Sequence, residues 1–215
     1  MTPRIPVVPR SAWNDQVRAA LGPLAERDPL DNVFATFVQH PDLFRRYSPL
    51  GVHILAKSTL SAREKEMAIL RIGSLNRCEY EFAQHAQIGR AAGLGDSEIA
   101  RIHSGPSDAE WEPFDRAILQ AADDLFLRGV ISDATWAELT ARYDYQQLLD
   151  LIFTIGVYNA ISWMLNSCGT EIDAHLGTYP WPPVVVVGAP GFAEVTEFQD
   201  TGSDPLVERR RIASW

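Results

Sequence analysis

From residue 11 to residue 170 the apolar positions of the chain recur every three or four residues, and nowhere do they alternate with period two over a useful length. That spacing predicts helices and no strands. Local chemistry sets the boundaries. Ser11 can cap a short helix through Ala20, ended by Gly22-Pro23. Asp31 begins NVFATFVQH, which buries Val33, Phe34, Phe37 and Val38. DLFRRYSPLGVHILAKS is helical in pattern, and Pro49-Leu50-Gly51 should kink or split it. Ser61-Ala-Arg-Glu64 matches a capping box and opens a helix whose core face is Met67, Ala68, Ile69, Leu70 and Ile72. After a short break near Ser74 to Asn76, the next helix runs from about Asn76 to Ala92 and stops at Gly93. Asp96 caps SEIARIH, Pro113 opens a helix closed by Gly129, and Ser132 caps DATWAELTARY. The most apolar segment, YQQLLDLIFTIGVYNAISWMLNS, closes at Gly169. The expected fold is all-α, a compact bundle of roughly eight to ten helices.

The pattern changes at both ends. Residues 1–10 hold three prolines and no periodicity, which predicts an extended N-terminal arm before a helical domain spanning 11–176. Residues 177–215 read as a second, Pro-rich arm. Tyr179-Pro180-Trp181-Pro182-Pro183 is stiff, and the β-like run Val184 to Val187 needs a surface to dock on, either this domain or a neighbouring subunit.

The longest apolar run, Leu148 to Leu165, is interrupted by Asp150, Asn159 and Ser162, which suits a buried central helix better than a membrane span. A formal charge of −9 argues against nucleic acid or an anionic membrane as partner. The two cysteines, Cys78 and Cys168, are no disulfide framework and point to reduced thiols in a cytoplasm. The opening MTPRIPVVPRSAW, which lacks an apolar signal segment, agrees with a cytoplasmic location.

The chemistry concentrates in one stretch. Cys78, Glu81 and His85 stand at i, i+3 and i+7, on one stripe of a largely apolar helix. A thiol, a carboxyl and an imidazole are costly to bury there unless they pair. Glu66, on the preceding helix, is a fourth candidate for the same cluster.

Glu66, eleven residues, Cys78-Glu-Tyr-Glu81-Phe-Ala-Gln-His85 and then AAGLGDSEI make up a pattern that resembles the carboxymuconolactone decarboxylase family, which includes the AhpD-type alkylhydroperoxidases. The resemblance is strongest over about residues 50–105 and extends more weakly to 170. It implies an all-α AhpD-like bundle, no cofactor or metal, a small-molecule substrate, and a homo-oligomer, a trimer or hexamer. The peroxidase motif places a glutamate, two cysteines and a histidine at this spacing. Here Glu66, Cys78 and His85 match, and Glu81 stands where the second cysteine should be.

That replacement shapes the expected reaction. A peroxidatic cysteine that becomes a sulfenic acid needs a second thiol to resolve it, and Glu81 cannot do so. A one-cysteine cycle with an outside thiol stays open, as does a ligand-binding member without turnover. The favoured expectation is proton-transfer chemistry, a decarboxylation, isomerisation or dehydration of a small organic acid or lactone. His85 would be the general acid/base, Glu81 its proton-sharing partner, Glu66 the second acid/base, and Cys78 a wall residue or weak donor. His53, Arg71, Tyr80 and Asn159 are second-rank candidates for substrate contact, Arg71 because its fork could hold a carboxylate.

Overall fold

The computed structural model describes residues 2–177, all of whose regular elements are helices. The apolar and Pro-rich runs expected to dock as a C-terminal arm lie outside the described residues. In chain order the helices are α1 (Asp15–Leu21), α2 (Asn32–Phe37), α3 (Pro41–Val52), α4 (Ala62–Leu75), α5 (Glu79–Ala91), α6 (Asp96–Ile102), α7 (Pro113–Arg128), α8 (Asp133–Thr140) and α9 (Tyr145–Cys168). The all-α reading therefore holds for the described residues.

The bundle is organised around α4. Every residue from Lys65 to Ser74 is buried, and α5, α6, α7 and α9 all pack on it. Its start is the capping box read from sequence. The Ser61 hydroxyl accepts from the Glu64 N–H, and the Glu64 carboxylate accepts from the Ser61 N–H. Two arginines lace α4 to α7. Arg63 donates to both carboxylate oxygens of Asp115 and Arg71 to both of Asp123, each pair 52 residues apart. A constant offset means the two helices run parallel. By contrast, the α4–α5 contacts pair Glu66 with His85 and Gly73 with Glu81, so α5 runs antiparallel to α4.

Close approach of α4 and α5 relies on two glycines. A Cβ on Gly73 would meet Glu81 Cγ at 3.6 Å, while one on Gly89 would stand 3.0 Å from Leu94 Cδ1 and 3.4 Å from Leu70 Cδ1. A smaller layer, α1 to α3, closes one side through Trp13, Val17, Leu21, Val38 and Phe44. The N-terminal arm lies against this layer and the end of α9. The N–H groups of Arg4 and Ile5 both donate to the Cys168 carbonyl, at 2.7 and 3.2 Å, and that of Val8 to Ala35.

Four boundaries differ from the sequence expectation. Asn14, not Ser11, caps the first helix, accepting from the Val17 N–H, and Arg10–Ala12 forms a separate 3₁₀ turn. Pro49 does not split α3, which continues to Val52. The irregularity falls later, as a π-helical turn over His53–Lys57. Gly95, not Asp96, is the cap of α6, its N–H held by the Glu98 carboxylate. Finally α5 begins at Glu79, leaving Cys78 in an extended conformation as its N-cap.

Among the described residues α9 is the one helix long and apolar enough to cross a membrane, and half of its most apolar window is buried in the fold. Asp144 caps it and Gly169, in the left-handed conformation, ends it.

Candidate functional site

The turn that joins α4 to α5 builds the site. Arg77 carries a φ of 51°, the left-handed region that a non-glycine residue enters at a cost of about 1 kcal/mol or more. It does so because two hydrogen bonds close the end of α4, Arg77 N–H to Ser74 and Cys78 N–H to Gly73, both 2.9 Å. The reversal sets Cys78 at the mouth of α5 and turns Glu81 and His85 back toward α4. Glu66, two turns from the end of α4, completes the group.

The four residues that the sequence singled out as catalytic candidates are all buried: Glu66 is 1% exposed, Cys78 0%, Glu81 4% and His85 4%. His85 stands between the two carboxylates. Its Nδ1 lies 2.6 Å from Glu66 Oε2 and its Nε2 3.0 Å from Glu81 Oε1. Burial opposes a charged ring, but the two flanking carboxylates outweigh it and raise the His85 pKa to about 9. The imidazole is therefore a cation at neutral pH, with both N–H groups donating. Cys78 behaves in the opposite way. Burial, then the nearby charge of Glu81, push its thiol up to about 12. The N–H groups of Glu81 and Tyr80 and the Ser162 hydroxyl only partly offset this. At neutral pH it is a thiol, not a thiolate.

Helix α9 supplies a wall that sequence reasoning missed. Thr154, Tyr158 and Ser162 stand one turn apart on its buried side. The Tyr158 ring meets His85 edge-on, with centroids 4.8 Å apart. Ser162 leans on Cys78, yet its Oγ lacks a partner in hydrogen-bond geometry, as do Thr154 Oγ1 and Glu66 Oε1. Unpaired buried polar atoms are uncommon and call for a bound water or ligand. The signal in the sequence was the i, i+4, i+8 spacing of three hydroxyls on the most apolar helix.

The four second-rank residues are engaged elsewhere. Arg71 grips Asp123 with two nitrogens and donates to the carbonyls of Ile102 and His103, its fork filling the space beside Gly105. His53 Nε2 lies 2.8 Å from Asp150 at the half-exposed start of α9. The Tyr80 hydroxyl donates to Asp173 and accepts from the Val33 N–H. Asn159 accepts from Asn76 at 2.7 Å. If the Arg71 fork holds α4, α6 and α7 together, Arg71→Lys should lower stability by about 1–3 kcal/mol in urea unfolding. An unchanged midpoint would leave the fork free for another role.

Comparison with known proteins now adds to the geometry. Residues 41–124, which carry α3 to most of α7 and all four buried candidates, match the Carboxymuconolactone decarboxylase family. The protein has a carboxymuconolactone decarboxylase-family domain. No curated protein matches the sequence. Among solved structures, this domain resembles the alkylhydroperoxidase AhpD core of an uncharacterized peroxidase-related protein from Ralstonia eutropha JMP134. That match has a TM-score of 0.70 at 21% identity, covering 81% of this chain and 94% of the other. An uncharacterized peroxidase-related protein from Silicibacter sp. TM1040 gives 0.69 at 16%, covering 82% and 96%. A form of the debrominase Bmp8 in complex with 2,3,4-tribromopyrrole gives 0.64 at 15%, covering 81% and 94%. At these identities the likeness is one of fold. The decarboxylase family and its structural neighbours include enzymes of more than one kind, so the reaction has to be argued from the residues here.

Proposed function

We propose that the protein catalyses proton transfer on a small organic acid or lactone without a cofactor, with Glu81 as the group that exchanges the proton. The observation that supports this most is the His85 ring held between two buried carboxylates. Both ring nitrogens are occupied, which moves the exchanging role from His85, where the sequence put it, to Glu81. Glu66 Oε1 lacks a partner among the described residues, but Glu81 stands in the first turn of α5, three residues from Cys78, and its charge bears on the hydroxyls of Tyr47 and Tyr158. His85 then fixes Glu81 in place and links it to Glu66. A carboxylate beside an imidazolium can take a proton from carbon, keep it next to a mobile proton, and return it to a different carbon. Isomerisation needs such a return, and decarboxylation needs its second half, delivery of a proton to the carbon that keeps the electron pair when CO2 leaves.

The test needs no knowledge of the physiological substrate. In deuterated buffer, wild-type protein should catalyse C–H exchange in at least one member of a panel of small lactones and β,γ-unsaturated acids, followed by proton NMR. A panel in which no carbon-bound proton exchanges faster than in buffer alone would count against the reading.

A thiol-dependent redox role is the second reading. It is favoured by the place of Cys78 at the N-terminus of α5 and by the peroxidase-related neighbours. The two readings differ on thiol reactivity. With its thiol held up to about 12, Cys78 should react with a neutral alkylating agent far more slowly than a free cysteine at pH 7. Mass spectrometry of peptides after timed labelling checks this. Rapid labelling of Cys78 in the folded protein would favour the redox role.

We further propose that the protein assembles as a homo-oligomer. The exposed side of α9 carries Leu149, Phe153 and Trp163, each more than half exposed, in a stripe that a second copy could cover.

A further inference from the structure

We propose that the hydroxyls of Tyr158 and Tyr47 form the oxygen-binding end of this site, and that the substrate is therefore a carbonyl compound with an acidic C–H beside its carbonyl. This deepens the proton-transfer reading and rests on it. Tyr158 is 5% exposed, its ring set edge-on against His85, and its hydroxyl has no hydrogen-bond partner among the described residues. Tyr47 comes from α3, on another side of the site. Its ring packs on Phe37 at 5.0 Å and against the cluster that holds Cys78 and Tyr80. The side chain is partly buried, and its hydroxyl makes no hydrogen bond among the described residues. The hydroxyl sits over Gly51, one turn further along α3, where a Cβ would come within 3.2 Å of it. Both phenols are opposed in ionising first by burial and then by the charge of Glu81, and Tyr158 also by Tyr47. Tyr158 meets the triad at His85, and Tyr47 packs on the cluster that holds Cys78, three residues before Glu81.

This is what abstraction of a proton next to a carbonyl requires. Glu81 Oε2 takes the proton as the C–H bond breaks. The bonding pair becomes the C=C of an enolate, and the former C=O pair moves onto oxygen. The new oxyanion needs donors that stay protonated, placed apart from the base. A phenol with a raised pKa is such a donor. Where the substrate carries a β,γ double bond the anion is a dienolate. As the Glu81 carboxyl gives its proton to the γ carbon, the oxyanion pair re-forms C=O and the double bond moves to the α,β position, which returns the base to its starting state and releases the isomerised product.

The experiment uses 4-nitrophenol, whose phenolate mimics an enolate oxygen and absorbs differently from the neutral phenol. Glu81→Gln imitates the base after it has taken the proton. At about pH 6 this variant should bind the probe as phenolate. Adding Tyr158→Phe or Tyr47→Phe should each weaken binding roughly tenfold or more, since a hydrogen bond to a charged oxygen is lost. Circular dichroism shows that the variants remain folded. Failure to bind, binding as the neutral phenol, or phenolate binding that survives loss of both hydroxyls overturns the proposal. The outcome is separable from the proton-transfer reading. Exchange in the deuterium panel with no dependence on either tyrosine would sink this inference alone, and phenolate binding without any exchange would sink the reading beneath it.

Discussion

Replacing His85 with leucine should cost about 3–5 kcal/mol of stability at pH 7, among the largest losses available to a single substitution in this fold. Leucine fills much of the same space. The cost comes from what is left behind: two carboxylates, 1% and 4% exposed, facing each other with no cation between them. Neither has another cation within ion-pair distance among the described residues. Removing one partner of a buried ionic group is far worse than never having had it, because the remaining charge keeps its desolvation penalty without its attraction. Urea unfolding at a single pH measures the difference. A loss below about 1 kcal/mol would mean that the carboxylates are solvated and the triad is not closed.

The same group makes stability depend on pH in a stated direction. The folded-state pKa of His85 is raised to about 9, above the ordinary value of 6.5. Its contribution is thus complete below 6.5 and is lost as pH rises through 9. A shift of this size is worth roughly 3 kcal/mol. Wild-type protein should therefore weaken across that window, whereas His85→Leu should stay nearly level, and the two curves should approach one another above it.

The convergence of Glu66, Cys78, Glu81 and His85 was legible in the sequence because spacing on a helix determines direction. Three of them share a stripe, and a capping box fixed where the preceding helix began. What spacing could not show was the turn between the helices. Gly93 and Gly169 announce the ends of α5 and α9, since glycine enters the left-handed region without strain. Arg77 closes α4 by the same pair of hydrogen bonds and announces nothing, which is why α5 begins at Glu79, about three residues later than the spacing predicts. Ser11 and Asn14 are both residue types that cap, and the structure gives the role to Asn14, whose side chain accepts from the Val17 N–H. The roles of α9 were half visible. Ser162 and Asn159 stand out in the sequence as interruptions of an apolar run. Yet Asn159 turns to Asn76, while its neighbour Tyr158, polar only at its tip, faces His85. Arg71 shows the reverse case, a residue chemically fit to bind a carboxylate that finds one inside its own chain, on Asp123.

Glu81→Gln is expected to lower the rate of proton exchange by about 10²–10⁴-fold while leaving the fold and substrate binding in place. Glutamine keeps the shape of the side chain and can still accept from His85 Nε2, so the triad stays assembled. It cannot accept a proton from carbon. The change should fall on kcat rather than on KM, the mark of a group that acts in the transition state. Glu66→Gln should behave differently, because Glu66 reaches the reaction only through His85. It should reduce the rate less, and its signature should be in the pH profile. With one of the two carboxylates that raise the His85 pKa removed, the ring should lose its proton at lower pH, and the alkaline fall in activity should move down from about 9. Exchange rates measured for both variants between pH 6 and 10 separate the two roles. If Glu81→Gln retained activity within roughly threefold of wild type, Glu81 would not be the base. If Glu66→Gln lowered the rate with an unmoved profile, the chain of charge from Glu66 through His85 to Glu81 would not be what tunes the site.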